Sequence, residues 1–131
     1  MLAKTAKAPF SSKDWIFEVK WDGIRAISYI NKELTIKSRN QKELKTNFPE
    51  LEELINLTKH AVLDGEIILM RNGKTDFEIL LKRVQATSSK DIKTLQQKYP
   101  ILYILFDILE KDGNSLLDKT LIERKKSLKK Q

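Results

Sequence analysis

Acidic residues sit inside three stretches that otherwise read as apolar or alternating strands. That placement limits the folds open to this chain more than any other feature. Leu63-Asp64-Gly65-Glu66-Ile67 sets two carboxylates around a glycine within an apolar run from Ala61 to Met70. Asp107 interrupts Ile104-Leu105-Phe106-Asp107-Ile108-Leu109 in the same way, and Glu18, Lys20 and Asp22 alternate through Glu18-Val19-Lys20-Trp21-Asp22-Gly23. A carboxylate in a buried strand is costly unless it is paired, hydrated or bound to metal. A salt bridge explains one such interruption. Three in separate strands point to several strands converging on one polar cleft.

The rest of the chain supplies elements to surround that cleft. Trp15 to Lys20 has a period of two and predicts a strand, in which Glu18, Lys20 and Asp22 would share a face about 7 Å apart. Taken alone, that alternation equally describes a solvated face. Gly23 permits a tight turn or a close approach to a ligand. Ile24–Ile30 and Leu34–Ser38 predict a hairpin turning at Asn31-Lys32. Pro49 opens a short helix, with Leu51, Leu54, Ile55 and Leu57 at helical spacing. Asn72-Gly73 and Asp112-Gly113 are tight-turn pairs after the strands Ala61–Met70 and Ile101–Leu109, the latter read as mostly buried. Asp76 caps a helix whose buried stripe is Phe77, Leu80, Leu81 and Val84. Ser88-Ser89 starts another helix that Pro100 ends. Thr120-x-x-Glu123 is a capping box for a last helix, with Leu121, Ile122 and Leu128 on its apolar side. This order predicts an α+β fold with a largely antiparallel sheet and packed helices.

Composition narrows the class. The 131 residues carry a net charge of +7, with 40% apolar and 33% charged residues, which is too apolar for a disordered chain and too charged for a membrane protein. No apolar run approaches the roughly 20 residues needed to span a bilayer. The absence of cysteine fits a reducing cytoplasm. Most of the surplus charge lies after residue 118, in Lys119, Arg124, Lys125, Lys126, Lys129 and Lys130, which reads as a nucleic-acid-facing surface or a solvated helix face.

Lys20-Trp21-Asp22-Gly23-Ile24-Arg25 resembles the K-x-D-G-x-R motif of ATP-dependent DNA ligases, whose superfamily includes RNA ligases and mRNA capping enzymes. Ser38-Arg39, Leu63-Asp64-Gly65-Glu66 and Phe106-Asp107-Ile108-Leu109 follow in family order. Phe77 and Arg83 resemble an F-x-x-L-x-x-R stretch, and Leu121–Leu128 an L-x-x-R-x-x-x-L helix. The flanks, including Met1-Leu2-Ala3, are most similar to the ligase domain of bacterial and archaeal end-joining ligases.

The resemblance implies an ATP-grasp-like nucleotidyltransferase domain in which Lys20 attacks the α-phosphate of ATP and becomes attached to AMP. Attack needs an unprotonated amine beside the acids Glu18 and Asp22, so Mg²⁺ on ATP and Arg25 are the candidate offsetting cations. By the same resemblance Glu18 reads the adenine, Phe106 stacks on it, Arg39 contacts ribose and phosphate, and Arg25 lies near the ribose and the reacting phosphate. Glu66 lies near the ribose and the metal, while Asp22, Asp64 and Asp107 are architectural. ATP and Mg²⁺ are the implied cofactors, and nicked or broken double-stranded DNA is the implied partner. The family's later E-G-x-x-x-K and K-x-K motifs and its oligonucleotide-binding domain do not occur in these residues. The expectation is therefore the front portion of an adenylation domain, unable to seal nicks and with self-adenylation weak or absent, without the missing parts or a partner or second copy supplying them. An RNA ligase, a capping-type nucleotidyltransferase or a non-catalytic nucleic-acid-binding fragment are the alternatives.

Overall fold

A computed structural model describes residues 7–129. Met1-Leu2-Ala3 and Lys130 lie outside the described residues. The strands β1 (Ile24–Ile30), β2 (Leu34–Ser38), β3 (Ala61–Arg71), β4 (Lys74–Thr75), β5 (Ile101–Lys111) and β6 (Asn114–Ser115) form one antiparallel sheet. Its order is β2-β1-β3-β5-β6, with β4 folded back on β3. Three helices, α1 (Phe77–Gln85), α2 (Ser89–Lys98) and α3 (Leu121–Leu128), and two 3₁₀ segments, Lys45–Asn47 and Pro49–Asn56, complete the elements of the described residues. The α+β class with an antiparallel sheet is what the sequence predicts.

Local chemistry explains most element ends. Asn72-Gly73 and Asp112-Gly113 each have positive φ at both positions and close two-residue hairpins, the turn whose twist matches that of the strands. Asp76 accepts the amide of Ile79 and Ser88 that of Asp91, each capping its helix. The Thr120/Glu123 capping box is fully formed, and its hydrogen bonds hold the Glu123 carboxyl below the usual range.

One face of the sheet carries the core. Ala26 and Ile30 of β1, Leu34 and Ile36 of β2, and Leu63, Ile67 and Leu69 of β3 are buried against Leu44, Phe48, Leu80 and their neighbours. Arg83 of α1 is the largest fully buried side chain, only 1% exposed. Its guanidinium donates to both oxygens of Glu50 and to the carbonyls of Tyr99 and Asn47, and lies 4.9 Å from the Phe48 ring. It thereby joins both 3₁₀ segments, α1 and the end of α2.

Several expectations are corrected. Trp15–Lys20 forms no strand: residues 15–22 pair with nothing in the sheet, and Trp15, Phe17 and Val19 are exposed. Alternation without a neighbouring strand has no face to bury. Trp15 instead meets Phe10 edge-on, with ring centroids 5.2 Å apart. On α1 Leu80 is buried and Phe77 and Val84 pack against the core as the stripe predicts, but Ile79 and Arg83 are buried while Leu81 is only half-buried. On α3 Leu128 packs against the core, but the buried residue is Arg124 while Leu121 and Ile122 face outward. An arginine paired with acids and carbonyls can occupy a core position that hydrophobicity would assign to a neighbour. Leu57 is exposed, and β5 is mainly half-buried.

Candidate functional site

The face of the sheet opposite the core gathers the interrupting acids. Register places Arg25 of β1 across from Glu66 of β3, and Asp64 of β3 across from Asp107 of β5. Two buried carboxylates therefore face each other across adjacent strands, an arrangement that is destabilising without counter-charge. Two arginines supply it. Arg25 donates to both oxygens of Asp64, at 3.0 and 2.6 Å, and Arg124 of α3 donates to both oxygens of Asp107, at 2.8 and 2.8 Å. The hydrogen bonds raise the affinity of each guanidinium for its proton, against the opposing effect of burial. The expectation that Asp64 and Asp107 are architectural matches this geometry.

Phe106 reaches the same face through an irregularity in the ladder. Asp64 pairs with Asp107, but Gly65 pairs with Leu105, so Phe106 is an extra residue in β5. In a regular strand consecutive residues point opposite ways. The bulge lets Phe106 and Asp107 both lie beside Arg25, whose guanidinium is 5.9 Å from the Phe106 ring. Gly65 is required opposite the bulge: a Cβ there would lie 2.6 Å from the Ile104 carbonyl oxygen and 2.7 Å from the Tyr103 ring.

Lys20 is carried by the unpaired segment before β1. Gly23 brings that segment against β3, where a Cβ would stand 2.3 Å from the Ile67 carbonyl oxygen. The glycine thus serves close approach to the sheet. Lys20 is exposed, yet close enough to Glu66 to influence it. Burial pushes the Glu66 carboxyl above the ordinary carboxylate range; Arg25 and Lys20 pull it back, while Asp64 and Asp22 push it further.

Glu18 pairs with Lys125 of α3, whose Nζ also donates to the Phe106 carbonyl at 2.8 Å. Between this segment and β5 lies a cavity of about 440 Å³ bordered by Glu18, Trp21, Ile104 and Phe106. A larger one, about 560 Å³, is walled mainly by apolar side chains including Phe17, Leu63, Leu105 and Leu128. Both cavities touch Phe17 and Glu18, but the smaller is the better candidate for a ligand with a flat polar ring, because Trp21 and Phe106 border it as well.

Arg39 stands just beyond β2, after Ser38, whose register partner is Ala26. It is exposed and makes no hydrogen bond or ion pair among the described residues. The structure thus groups Arg25, Glu66, Phe106 and Lys20, ties Glu18 to their rim, and leaves Arg39 at the sheet end. Lys125 is absent from the sequence reading of the site. Its partner is 107 positions away, and no local pattern marks it.

The described residues contain no cluster of three or more His, Cys, Asp or Glu able to enclose a metal ion. With Asp64 and Asp107 committed to arginines, Glu66 is the acid on this face of the sheet whose oxygens take no hydrogen bond or ion pair among the described residues. A single carboxylate suits a hard cation that brings water and phosphate ligands with it, as Mg²⁺ does.

Comparison with known proteins gives a concordant picture. The family model for the ATP dependent DNA ligase domain matches residues 1–131. The SPbeta prophage-derived DNA ligase-like protein LigB of Bacillus subtilis is 36% identical over 127 residues, covering 95% of this chain and 44% of that protein. The bifunctional non-homologous end joining protein LigD of the same bacterium is 34% identical over 134 residues, covering 95% and 22% respectively. Among solved structures, the ligase domain of M. tuberculosis LigD superposes with a TM-score of 0.65 at 26% identity, over 86% of this chain and 35% of that one. This chain spans less than half the length of each.

Proposed function

This chain belongs to the ATP-dependent DNA ligase domain family, and on that premise we propose that it carries the lysine that takes AMP from ATP when a DNA break is sealed. The observation that carries the reading is the grouping of Lys20, Glu66, Arg25 and Phe106 on one face of the sheet, with Glu18 at its rim. The Lys20 amine gives up a proton and attacks the α-phosphorus. The bond to the bridging oxygen of the β-phosphate breaks, and pyrophosphate leaves. In the complete enzyme AMP then passes to a 5′-phosphate, and the break is closed.

The roles follow from position. Phe106 offers its ring to the purine, and Glu18 accepts hydrogen bonds from the base edge. Arg25, held in a fixed plane by Asp64, sets a positive charge beside ribose and phosphate, a pre-organised cation that needs no reorientation. Arg39 meets ribose and phosphate from the end of β2. Glu66 would hold Mg²⁺ by one carboxylate beside the ribose, and that ion would supply neutralisation of phosphate charge. The basic residues of α3 and the tail suit a DNA backbone. None of the described helices is long and apolar enough to cross a membrane, and the cysteine-free composition supports a cytoplasmic setting.

Incubation with α-labelled ATP and Mg²⁺, followed by a denaturing gel, tests this reading. Weak label is expected on the parent chain and none on Lys20→Ala, with ATP preferred over GTP. Label that survives Lys20→Ala would overturn the assignment of the nucleophile.

A further inference from the structure

We propose that Lys125 is a positioning residue that fastens the nucleophile-bearing segment to the sheet and thereby sets the spacing between Glu18 and Phe106. This rests on the adenylation reading above. Among the described residues, the Glu18–Lys125 contact is the one hydrogen bond that residues 15–22 make to the rest of the molecule. The segment that presents Lys20 has no ladder to hold it, so one side-chain link fixes its polar side. Close packing at Gly23 fixes its other end.

Lys125 also holds the strand on which the aromatic sits. A bulged residue is left out of strand pairing. Lys125 Nζ donates to the carbonyl of that residue, Phe106. One ammonium therefore binds the acid that borders the cavity and the backbone of the aromatic that faces it. Its own placement is firm, because the preceding residue, Arg124, is clamped to Asp107 by two buried hydrogen bonds. The path runs from β5 through Arg124 to α3, then through Lys125 to Glu18, two residues before Lys20. Lys125 is largely covered, with 20% of its side chain exposed, against 46% for Glu18. A hydrogen-bonded ion pair with one shielded partner is stronger than a freely solvated one.

The test uses two readouts. In a Trp15→Phe background the half-buried Trp21 is the only tryptophan, and its acrylamide quenching reports docking of the segment without any nucleotide. Lys125→Met is expected to raise quenching toward that of the urea-unfolded chain, Lys125→Arg to restore it, and Glu18→Gln to add nothing to Lys125→Met. In the labelling assay Lys125→Met should raise the half-saturating ATP concentration on the order of fivefold, with a much smaller change in the rate at saturation. Lys126→Met, which removes an exposed charge from the same helix, controls for net charge. Lys125→Met matching Lys126→Met in quenching would overturn the proposal, as would a loss of saturated rate with the half-saturating concentration unchanged. Failure of the parent to label would instead overturn the adenylation reading, while quenching would still decide the tether.

Discussion

Replacing Arg124 by methionine tests how the sheet tolerates two facing carboxylates. Asp107 and Arg124 are each only 6% exposed and share two hydrogen bonds of 2.8 Å. The variant leaves the Asp107 carboxylate buried, without its counter-charge and across from Asp64. Removing one partner of a buried pair costs roughly 3–5 kcal/mol, and the lost donor to the Lys119 carbonyl adds to this. A domain of this size has on the order of 5–15 kcal/mol in total, so the variant should be near the limit of folding. In urea, with a slope of about 2 kcal/mol per molar, the midpoint should fall by roughly 2 M. Arg25→Met should cost less, because 29% of the Arg25 side chain is exposed and water can replace part of the interaction. Asp107→Asn combined with Arg124→Met should recover about 2 kcal/mol relative to the sum of the single changes. If Arg124→Met cannot be purified folded, Arg124→Lys and the double variant carry the comparison. A midpoint for Arg124→Met within 0.5 M (about 1 kcal/mol) of the parent, or strict additivity in the double variant, would refute the claim that this pair neutralises the facing acids.

Three further outcomes follow from the same sheet. Gly65→Ala places a Cβ against the Ile104 carbonyl and the Tyr103 ring, and should cost on the order of 1–3 kcal/mol in urea denaturation; no loss would mean the bulge relaxes freely. Burial raises the Glu66 carboxyl in the folded chain, so the stability it contributes is present below the unfolded value of 4.5 and lost as the pH rises through the folded value. Glu66→Gln should therefore match the parent at acid pH and be at least as stable at pH 7, yet lose adduct formation; a parent that gains stability relative to the variant across that rise contradicts the sign. Tyr103 donates to the Ala26 carbonyl at 2.8 Å and accepts from Ser28 at 3.1 Å, and burial pushes its phenol upward. Tyr103→Phe should cost about 1–3 kcal/mol near neutral pH and lack the loss of stability expected of the parent as pH rises past 10.0.

Features decided by neighbouring residues were legible in the sequence. Asn72-Gly73, Asp112-Gly113, Asp76 and the Thr120/Glu123 box all behave as their local chemistry predicts. The convergence was legible for two of the three interrupted stretches, since Asp64 and Glu66 of β3 and Asp107 of β5 do share a face, whereas the stretch from Glu18 to Asp22 is not a strand. Contacts decided across the fold were not. Residues 15–20 carry the alternation of a strand, but whether an alternating segment is a strand depends on a partner, and the sheet offers none there. Arg83 and Arg124 occupy core positions because of Glu50 and Asp107, residues distant in the chain. The bulge at Phe106 leaves no trace in hydrophobic periodicity, because Leu105 and Phe106 are both apolar and Asp107 would interrupt the run with or without an extra residue.

That bulge separates what the sheet needs from what the cavity uses. Without Phe106, Leu105 and Asp107 would follow each other in ordinary alternation, each still facing the side it faces now. The ladder would lose an irregularity and the core would lose nothing. The aromatic is thus a guest in the strand: folding makes little demand on its identity, and selection is free to tune that position for whatever rests against the ring.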